Sequence, residues 1–270
     1  MNQAIAVMDS GVGGLTVVKE VLKQLPQEQV LYFGDTARAP YGPRDPEEVV
    51  RFTREIAEYL SRYQPKMIVL ACNTATAVAL DDIRSRVDIP VVGVIKPGAR
   101  AAVKASRSGR IGVIGTEGTI RSGAYDEALR EISSQLEIVS LACPDLVPLV
   151  EAGDFDSPHA WETVRRSLAP LVGRELDSLI MGCTHYPFLT ASIAETVGHK
   201  VELISSAEET VREIGTILSY NGKLAKPKSE SPLHRFFCSG DPVLFRRITS
   251  AWLEKQVEAS SIVWQVQTTC

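Results

Sequence analysis

The sequence predicts an α/β protein made of two similar units, and two observations support this prediction. Along the 270 residues, short apolar runs of strand length alternate with segments of helical period. Strands joined through helices form largely parallel sheets with both faces covered. The second observation is an internal repeat at an offset of roughly 110 residues, which indicates that the same unit occurs twice.

Eight apolar runs are expected to be strands, four in each unit. They are short, and they end in small or turn-forming residues, which is typical of strands buried in a parallel sheet. The runs of the first unit are residues 5–8, 30–33, 67–71 and 91–95, and those of the second unit are residues 111–114, 138–141, 179–181 and 201–204.

Matching segments at the strand ends define the repeat. The sequence IAVMDS at 5–10 aligns with IGVIGT at 111–116, and VLACNT at 69–74 aligns with IMGCTH at 180–185. We therefore expect two Rossmann-like or flavodoxin-like parallel-sheet domains related by pseudo-two-fold symmetry. The functional site is expected in the cleft between them, where the strand ends of both units meet.

Local signals predict two helix starts. Asp45 followed by Pro46, and Asp241 followed by Pro242, each combine an N-cap side chain with a proline in the first turn. An apolar stripe of helical spacing follows each start. The stripes are Val49, Phe52, Ile56 and Leu60 after the first start, and Leu244, Ile248 and Trp252 after the second.

The chain after residue 206 belongs to neither repeat. It contains an apolar helical stripe at 211–218, a polar stretch at 223–232 that we interpret as a linker or surface loop, and a strand at 234–238. We expect this tail to pack back on the first unit. The predicted domains are 1–97 plus 207–270 for the first, and 98–206 for the second.

Composition and charge narrow the functional classes. With 29 basic and 33 acidic residues, the net charge of −4 gives no field to attract a phosphate backbone, so nucleic acid is not an expected partner. The five cysteines are odd in number, spread out and without a Cys-x-x-Cys pair, so we expect a reducing cytoplasm. Neither a signal peptide nor a membrane span is expected, because the longest apolar runs are of strand length.

The carboxyl ends of the predicted strands carry the side chains suited to chemistry. In open parallel sheets, ligands bind beyond these ends. Two cysteines at equivalent strand ends would flank one cleft, and a thiol beside a helix N-terminus can be a thiolate near neutral pH. One rim comprises Asp9, Ser10, Cys72, Asn73 and Thr74, and the other comprises Thr116, Cys183, Thr184 and His185.

The glycine-rich segment after the first strand does not fit a nucleotide motif. GVGG at 11–14 is followed by Thr16 where a dinucleotide fingerprint has its third glycine, and no Gly-Lys-Ser/Thr occurs. Glycines let backbone amides approach an anion, so we expect this loop to hold something smaller, such as a carboxylate. Glu151 has two interpretations, as a surface carboxylate at a helix end or as a group that reaches into the cleft.

Four motifs resemble the glutamate racemases of bacterial cell-wall synthesis. They are VMDSGVGG at 7–14, YFGDTARAPYG at 32–42, ACNTA at 71–75 and GCTHYP at 182–187, and the resemblance extends in order over about 1–220. It implies an isomerase that interconverts L- and D-glutamate without cofactor or metal and supplies D-glutamate for peptidoglycan synthesis. It also implies a homodimer in the cytoplasm.

The resemblance further implies a role for each site residue. Cys72 and Cys183 would be acid/base residues on opposite faces of the α-carbon. The cysteine nearer Asp9 would take the proton from D-glutamate, and the one nearer His185 would take it from L-glutamate. Asp9 and His185 would tune the thiols and relay the ammonium proton. Asn73, Thr74, Thr116 and Thr184 would hold the α-carboxylate, Ser10 with the amides of Tyr41 and Gly42 would hold the distal carboxylate, and Pro40, Thr119 and Glu151 would support the site from just outside it.

The residues by themselves leave three alternatives. An aspartate or hydantoin racemase of the same superfamily would need a shorter or different distal pocket. A zinc site would use Cys72, Cys183, His185 and Asp9 as ligands. A thiol redox protein would need a resolving cysteine at suitable spacing, which the sequence lacks.

Overall fold

The fold consists of two parallel sheets with helices packed on their faces. A computed structural model describes residues 3–227 and 231–262. The strands of this part of the chain are β1 (Ile5–Asp9), β2 (Val30–Gly34), β3 (Met67–Leu70), β4 (Val91–Gly93), β5 (Arg110–Gly115), β6 (Glu137–Ala142), β7 (Ser178–Gly182), β8 (Glu202–Ile204), β9 (Arg235–Cys238) and β10 (Ala259–Ser261).

Helices follow most of the strands, as the alternating pattern predicts. Short 3-10 turns at 169–171 and 186–189 complete the regular structure of the described ranges. The helices are α1 (Leu15–Gln24), α2 (Pro46–Ser61), α3 (Asn73–Arg84), α4 (Ile95–Ala105), α5 (Glu117–Arg121), α6 (Ala124–Ile132), α7 (Leu146–Glu151), α8 (Pro158–Leu168), α9 (Thr190–Val197), α10 (Ser206–Tyr220) and α11 (Pro242–Leu253).

Neighbouring strands follow the same order in both sheets. The first sheet runs β10-β9-β2-β1-β3-β4, and the second runs β6-β5-β7-β8. The order β2-β1-β3-β4 therefore returns as β6-β5-β7-β8, and the pairings within both sets are parallel. The α/β class and the repeat of one parallel-sheet unit are confirmed.

The fourth strand is shorter than predicted. The apolar run at 91–95 leads to a strand that ends at Gly93 and a helix that begins at Ile95. Hydrophobicity alone does not separate the two elements, because Val94 and Ile95 are buried just like the strand before them. The predicted domain boundary after residue 97 falls inside α4, which packs on β7 and α6 of the second unit.

The tail extends the first sheet. Strand β9 pairs in parallel with β2, and β10 pairs with β9. Lys66 and Glu28 form a buried ion pair that also binds the polar stretch before β9. Lys66 Nζ donates to Lys223 O at 2.8 Å, and Glu28 Oε1 accepts the Ala225 N–H at 2.7 Å. Residues 228–230, within the predicted polar stretch at 223–232, lie outside the described residues, and so do residues 263–270 at the end of the predicted first domain, including Cys270.

The two predicted helix starts are capped differently. Helix α2 begins at Pro46 as expected, but the Asp45 side chain makes no capping hydrogen bond. At α11, Asp241 accepts hydrogen bonds from the amides of Val243 and Leu244. Both helices bury the apolar stripe that follows the start, although Leu244 and Trp252 of α11 are only partly buried.

The strands that lead to the cleft are buried, and an apolar cluster joins the two units beneath it. Every residue of β1, β2 and β3 is buried, so both faces of the central sheet are covered. One apolar cluster includes Val12 of the first unit together with Leu146 and Tyr186 of the second, which joins the units below the cleft. Within the described ranges, no helix is both long and apolar enough to cross a bilayer.

Candidate active site

Residues from both units line one pocket at the carboxyl ends of the two sheets. Both predicted thiols contribute to its wall. Pro40, which was expected just outside the site, lines the pocket directly, and Val147 is a lining residue that the sequence analysis did not identify. The lining consists of Ser10, Pro40, Tyr41, Gly42, Cys72, Asn73, Thr74, Thr116, Val147, Cys183, Thr184 and His185.

Cys72 lies between β3 and α3, at the N-cap of the helix. Its Sγ accepts the Ala75 N–H at 3.5 Å, and its thiol donates to Ser10 Oγ at 3.6 Å. Burial, together with the Asp9 carboxylate, raises the pKa of the Cys72 thiol to about 12. This differs from the expectation that the helix N-terminus makes a thiolate, because desolvation of the charged sulfur outweighs the dipole here.

Cys183 follows β7 and precedes a 3-10 turn rather than an α-helix. Its Sγ lies 3.5 Å from His185 Nδ1, and His185 Nε2 lies 2.5 Å from Glu151 Oε1. Burial lowers the pKa of His185, but its interactions with Cys183 and Glu151 outweigh burial and hold the pKa well above the usual value. These contacts favour the protonated form of the buried imidazole, which lies between the Cys183 sulfur and the Glu151 carboxylate.

Asp9 lies directly behind the pocket and ties the two units together. It ends β1 and is completely buried. Its Oδ1 accepts the Gly11 N–H at 3.0 Å, and its Oδ2 accepts the Thr184 hydroxyl at 3.0 Å. Burial raises the pKa of Asp9, while the nearby His185 cation lowers it. Asp9 thus faces Cys72 from its own unit and bonds to the residue after Cys183 in the other.

The glycine-rich loop binds a carboxylate, and that carboxylate is Glu151. The Val12 N–H donates to Glu151 Oε1 at 3.0 Å, the same oxygen that contacts His185. A Cβ atom at Gly11 would lie 1.9 Å from this oxygen, and one at Gly13 would lie 2.4 Å from Thr184 Oγ1. The glycines are needed because side chains of the second unit approach the loop this closely. Glu151 therefore reaches into the cleft.

Three threonine hydroxyls join the opposite wall of the pocket. Thr74 Oγ1 lies 2.8 Å from Thr116 Oγ1 and 3.2 Å from Thr119 Oγ1, and the last two are 3.0 Å apart. Beside them, the Gly118 N–H donates to Gly42 O at 2.8 Å. The loop that ends at Gly42 is consequently held against the second unit, with Thr119 just outside the pocket.

Two groups that support this loop have no local sequence signal. The Tyr41 hydroxyl donates to the carboxylate of Asp35, which is fully buried. The Ser239 hydroxyl, from the turn after β9, donates to the same carboxylate at 2.7 Å and accepts the Ala37 N–H. Asp35 and Ser239 are 204 positions apart in the chain, so only the tertiary fold reveals their contact.

The zinc alternative finds no support in the geometry. In residues 3–227 and 231–262, no group of three or more His, Cys, Asp or Glu side chains is arranged to hold a metal ion. Asp9 is hydrogen-bonded to Thr184, and both ring nitrogens of His185 have protein partners.

The fold and the site define an enzyme of the two-unit α/β class with one buried thiol from each unit facing a shared pocket. Residues 5–214 match the profile of the Asp/Glu/hydantoin racemase family. The chain belongs to this family and is a racemase, an isomerase of amino-acid type.

Individual relatives agree with the family assignment. The chain is 51% identical to a glutamate racemase of Bacillus cereus, over 96% of each chain. Its fold superimposes on a glutamate racemase of Bacillus anthracis with a TM-score of 0.92 and 46% identity, covering 96% and 97% of the two chains. A glutamate racemase of Francisella tularensis, solved in complex with D-glutamate, has a TM-score of 0.89 at 31% identity over 97% of each chain.

Proposed function

We propose that this racemase interconverts L-glutamate and D-glutamate, with Cys72 and Cys183 as its two bases. The observation that supports it most directly is the shared pocket, which has a thiol from each unit in its wall. Racemisation requires a base on one face of the α-carbon and an acid on the other, and two equivalent strand ends offer that pair. The similarity to glutamate racemases supports the substrate.

The surroundings of the two thiols favour Cys183 as the base and Cys72 as the acid, which is the arrangement needed to start from L-glutamate. The raised pKa of Cys72 suits it to donate a proton, and the contact of the Cys183 sulfur with the His185 ring suits Cys183 to act as the base. With L-glutamate bound, the Cys183 thiolate removes the α-proton, and the C–H electron pair stays on the substrate as a carbanion. The Cys72 thiol then delivers its proton to the opposite face. D-glutamate, a Cys183 thiol and a Cys72 thiolate result, and the reverse reaction exchanges the roles.

Stabilisation of the carbanion is the main demand on the site. An α-proton is weakly acidic, so hydrogen-bond donors must meet the charge that spreads onto the α-carboxylate in a pocket without bulk water. Asn73, Thr74, Thr116 and Thr184 are the proposed donors to this carboxylate. Ser10 and the backbone amides of Tyr41 and Gly42 are the proposed donors to the distal carboxylate, and all of these groups line one pocket.

Residues behind the pocket support the acid/base groups in this proposal. Asp9 acts on the Cys72 side and helps to relay the ammonium proton, while His185 acts on the Cys183 side. Glu151 keeps His185 charged, and Thr119 supports Thr74 and Thr116.

The proposal extends to the cellular role that the motif resemblance implies. We propose that the product D-glutamate supplies peptidoglycan synthesis in the cytoplasm and that the racemase works as a homodimer. Light scattering of the purified protein tests the dimer, with a mass near twice the 29.4 kDa of one chain as the expected result.

The decisive experiment is circular dichroism of D-glutamate during incubation with the purified protein. No cofactor is added, a chelator is present, and D-aspartate is assayed in parallel. We expect the glutamate signal to decay to zero while the aspartate signal stays constant. Decay of the aspartate signal alone would assign the other substrate of the family. A constant signal with both, in folded and reduced protein, would overturn the proposal.

A further inference from the structure

The side-chain amide of Asn73 is buried, and only its oxygen has a hydrogen-bond partner among the described residues. Its side chain lines the pocket and is 2% exposed. Asn73 Oδ1 accepts the Tyr125 hydroxyl at 2.7 Å, whereas Asn73 Nδ2 has no hydrogen-bond partner among the described residues. A buried donor without a partner is costly, which indicates that its partner is a bound ligand with an acceptor group.

The direction of the amide is set by Tyr125. The Tyr125 side chain lies in α6 of the second unit, is 2% exposed and lies beside Ser206, at the start of α10. Burial raises the pKa of Tyr125, so the phenol keeps its proton and donates it to Asn73 Oδ1. Both N–H groups of the amide are then left for the pocket.

Glycines make room for the tyrosine ring. A Cβ atom at Gly182 would lie 2.9 Å from Tyr125 Cε2, and one at Gly98 would lie 3.2 Å from the Tyr125 hydroxyl. The ring is thereby fixed beside the end of β7, one residue before Cys183. The contact crosses between units, because Asn73 begins α3 of the first unit.

We infer that Tyr125 is a positioning residue that orients the Asn73 amide so that its two N–H groups donate to the substrate α-carboxylate, an inference that rests on the proposed function. With the amide reversed, Asn73 Oδ1 would face the carboxylate and repel it. The sequence gives no signal for this role, since Tyr125 stands within an amphipathic helix and belongs to none of the four motifs.

Tyr125→Phe removes the hydroxyl and keeps the ring. We expect kcat/KM for glutamate to fall about tenfold, as for loss of one hydrogen bond that leaves a buried partner unsatisfied. In an Asn73→Ala background, the same substitution should have less than about a twofold further effect, because the group it orients is absent. The matched control is Tyr59→Phe, which removes the 3.0 Å hydrogen bond to Tyr63 away from the pocket and should leave kcat/KM unchanged.

A purely structural role would predict equal losses in both backgrounds, and that result would overturn the inference. Wild-type kcat/KM for Tyr125→Phe with intact folding would overturn it too and leave the proposed function untouched. Thermal unfolding of each variant confirms that the comparison is made between folded proteins.

A second measurement tests the orientation without any turnover. The chain has three asparagines, so protein labelled with ¹⁵N at the asparagine side-chain amides gives a short spectrum in which Asn73→Ala identifies one pair of signals. We expect Tyr125→Phe to shift this pair and to broaden it, because an amide no longer held by the Tyr125 hydroxyl turns about its Cβ–Cγ bond and its protons sample two environments. Unchanged signals would overturn the inference, whether or not the protein racemises glutamate.

Discussion

Cys72 and Cys183 occupy equivalent places in the two units, one after β3 and the other after β7, yet their surroundings differ in charge. Cys72 is next to the Ser10 hydroxyl and near the Asp9 carboxylate. Among the described contacts of Cys72, neither of these neighbours is a cation. Cys183 contacts the buried ring of His185, which Glu151 holds in place. The repeat therefore places two thiols at equivalent positions, and in the proposed mechanism their unequal neighbours let Cys72 start as the acid and Cys183 as the base.

The carboxylates that serve the two sides are shared across the cleft. Asp9 belongs to the unit of Cys72 but bonds to Thr184 beside Cys183, and Glu151 belongs to the unit of Cys183 but bonds to the Val12 amide. The carboxylate near each thiol is therefore held by a residue of the other unit. Because the surroundings of the two thiols differ, we expect substitutions on the two sides to affect proton transfer from different enantiomers. No substitution can change the equilibrium between the enantiomers, since an enzyme does not alter their free energies.

The largest effect is expected from replacing either thiol. Cys72→Ser or Cys183→Ser should lower racemisation about 10²- to 10⁴-fold, since a serine hydroxyl is a poor base at neutral pH. The two variants should differ in exchange of the α-proton with D₂O, followed by proton NMR. Cys183→Ser should retain exchange with D-glutamate, and Cys72→Ser should retain it with L-glutamate. Undiminished turnover of either variant in both directions would contradict the two-base proposal.

The next largest effect is expected from replacing His185 or Asp9, the groups proposed to support the two thiols. His185→Asn and Asp9→Asn should each lower kcat, by about a hundredfold, far more than they raise KM, because the groups act in proton transfer. Values of kcat/KM must fall equally for both enantiomers, since the enantiomers have equal free energies. The asymmetry should appear in the primary deuterium isotope effect of α-deuterated substrate, larger with L-glutamate for His185→Asn and larger with D-glutamate for Asp9→Asn. A rise in KM alone would argue against these roles.

A smaller effect, dependent on pH, is expected from Glu151→Gln. Glu151 helps to hold the pKa of His185 above its usual value, so the variant should lower that pKa, as measured by NMR titration of the ring. A raised pKa in the folded state contributes stability below the unfolded value of about 6.5 and loses it as pH rises through the folded pKa. The free energy of unfolding of the wild type should therefore fall more steeply above about pH 6.5 than that of Glu151→Gln.

Equal slopes for the two proteins would show that Glu151 does not act through the charge of His185. Glu162→Gln is a suitable control, because Glu162 is an exposed carboxylate paired only with the exposed Arg165 among the described contacts. Its slope should match that of the wild type.

The fold and most pocket residues could be predicted because they depend on local patterns. Buried parallel strands read as continuous apolar runs, and chemical side chains at equivalent strand ends mark the cleft, as for Cys72 and Cys183. The start of α4 was missed because Ile95 continues an apolar run. Tyr125 and Ser239 were missed because each meets its partner only through the tertiary fold. The raised pKa of Cys72 depends on burial, which a strand-end motif does not encode.

The smallest effect is expected from Ser10→Ala. The contact between Ser10 Oγ and the Cys72 sulfur is long, at 3.6 Å, and a thiol is a weak donor, so its loss should barely change proton transfer. The same hydroxyl is a proposed donor to the distal carboxylate, so KM should rise about threefold for both enantiomers, in line with loss of one neutral hydrogen bond. Steady-state kinetics in both directions make the comparison. A fall in kcat that exceeds the rise in KM would instead assign Ser10 to the acid/base function of the Cys72 side, and the two sides would then each carry a hydrogen-bonded activator of their thiol.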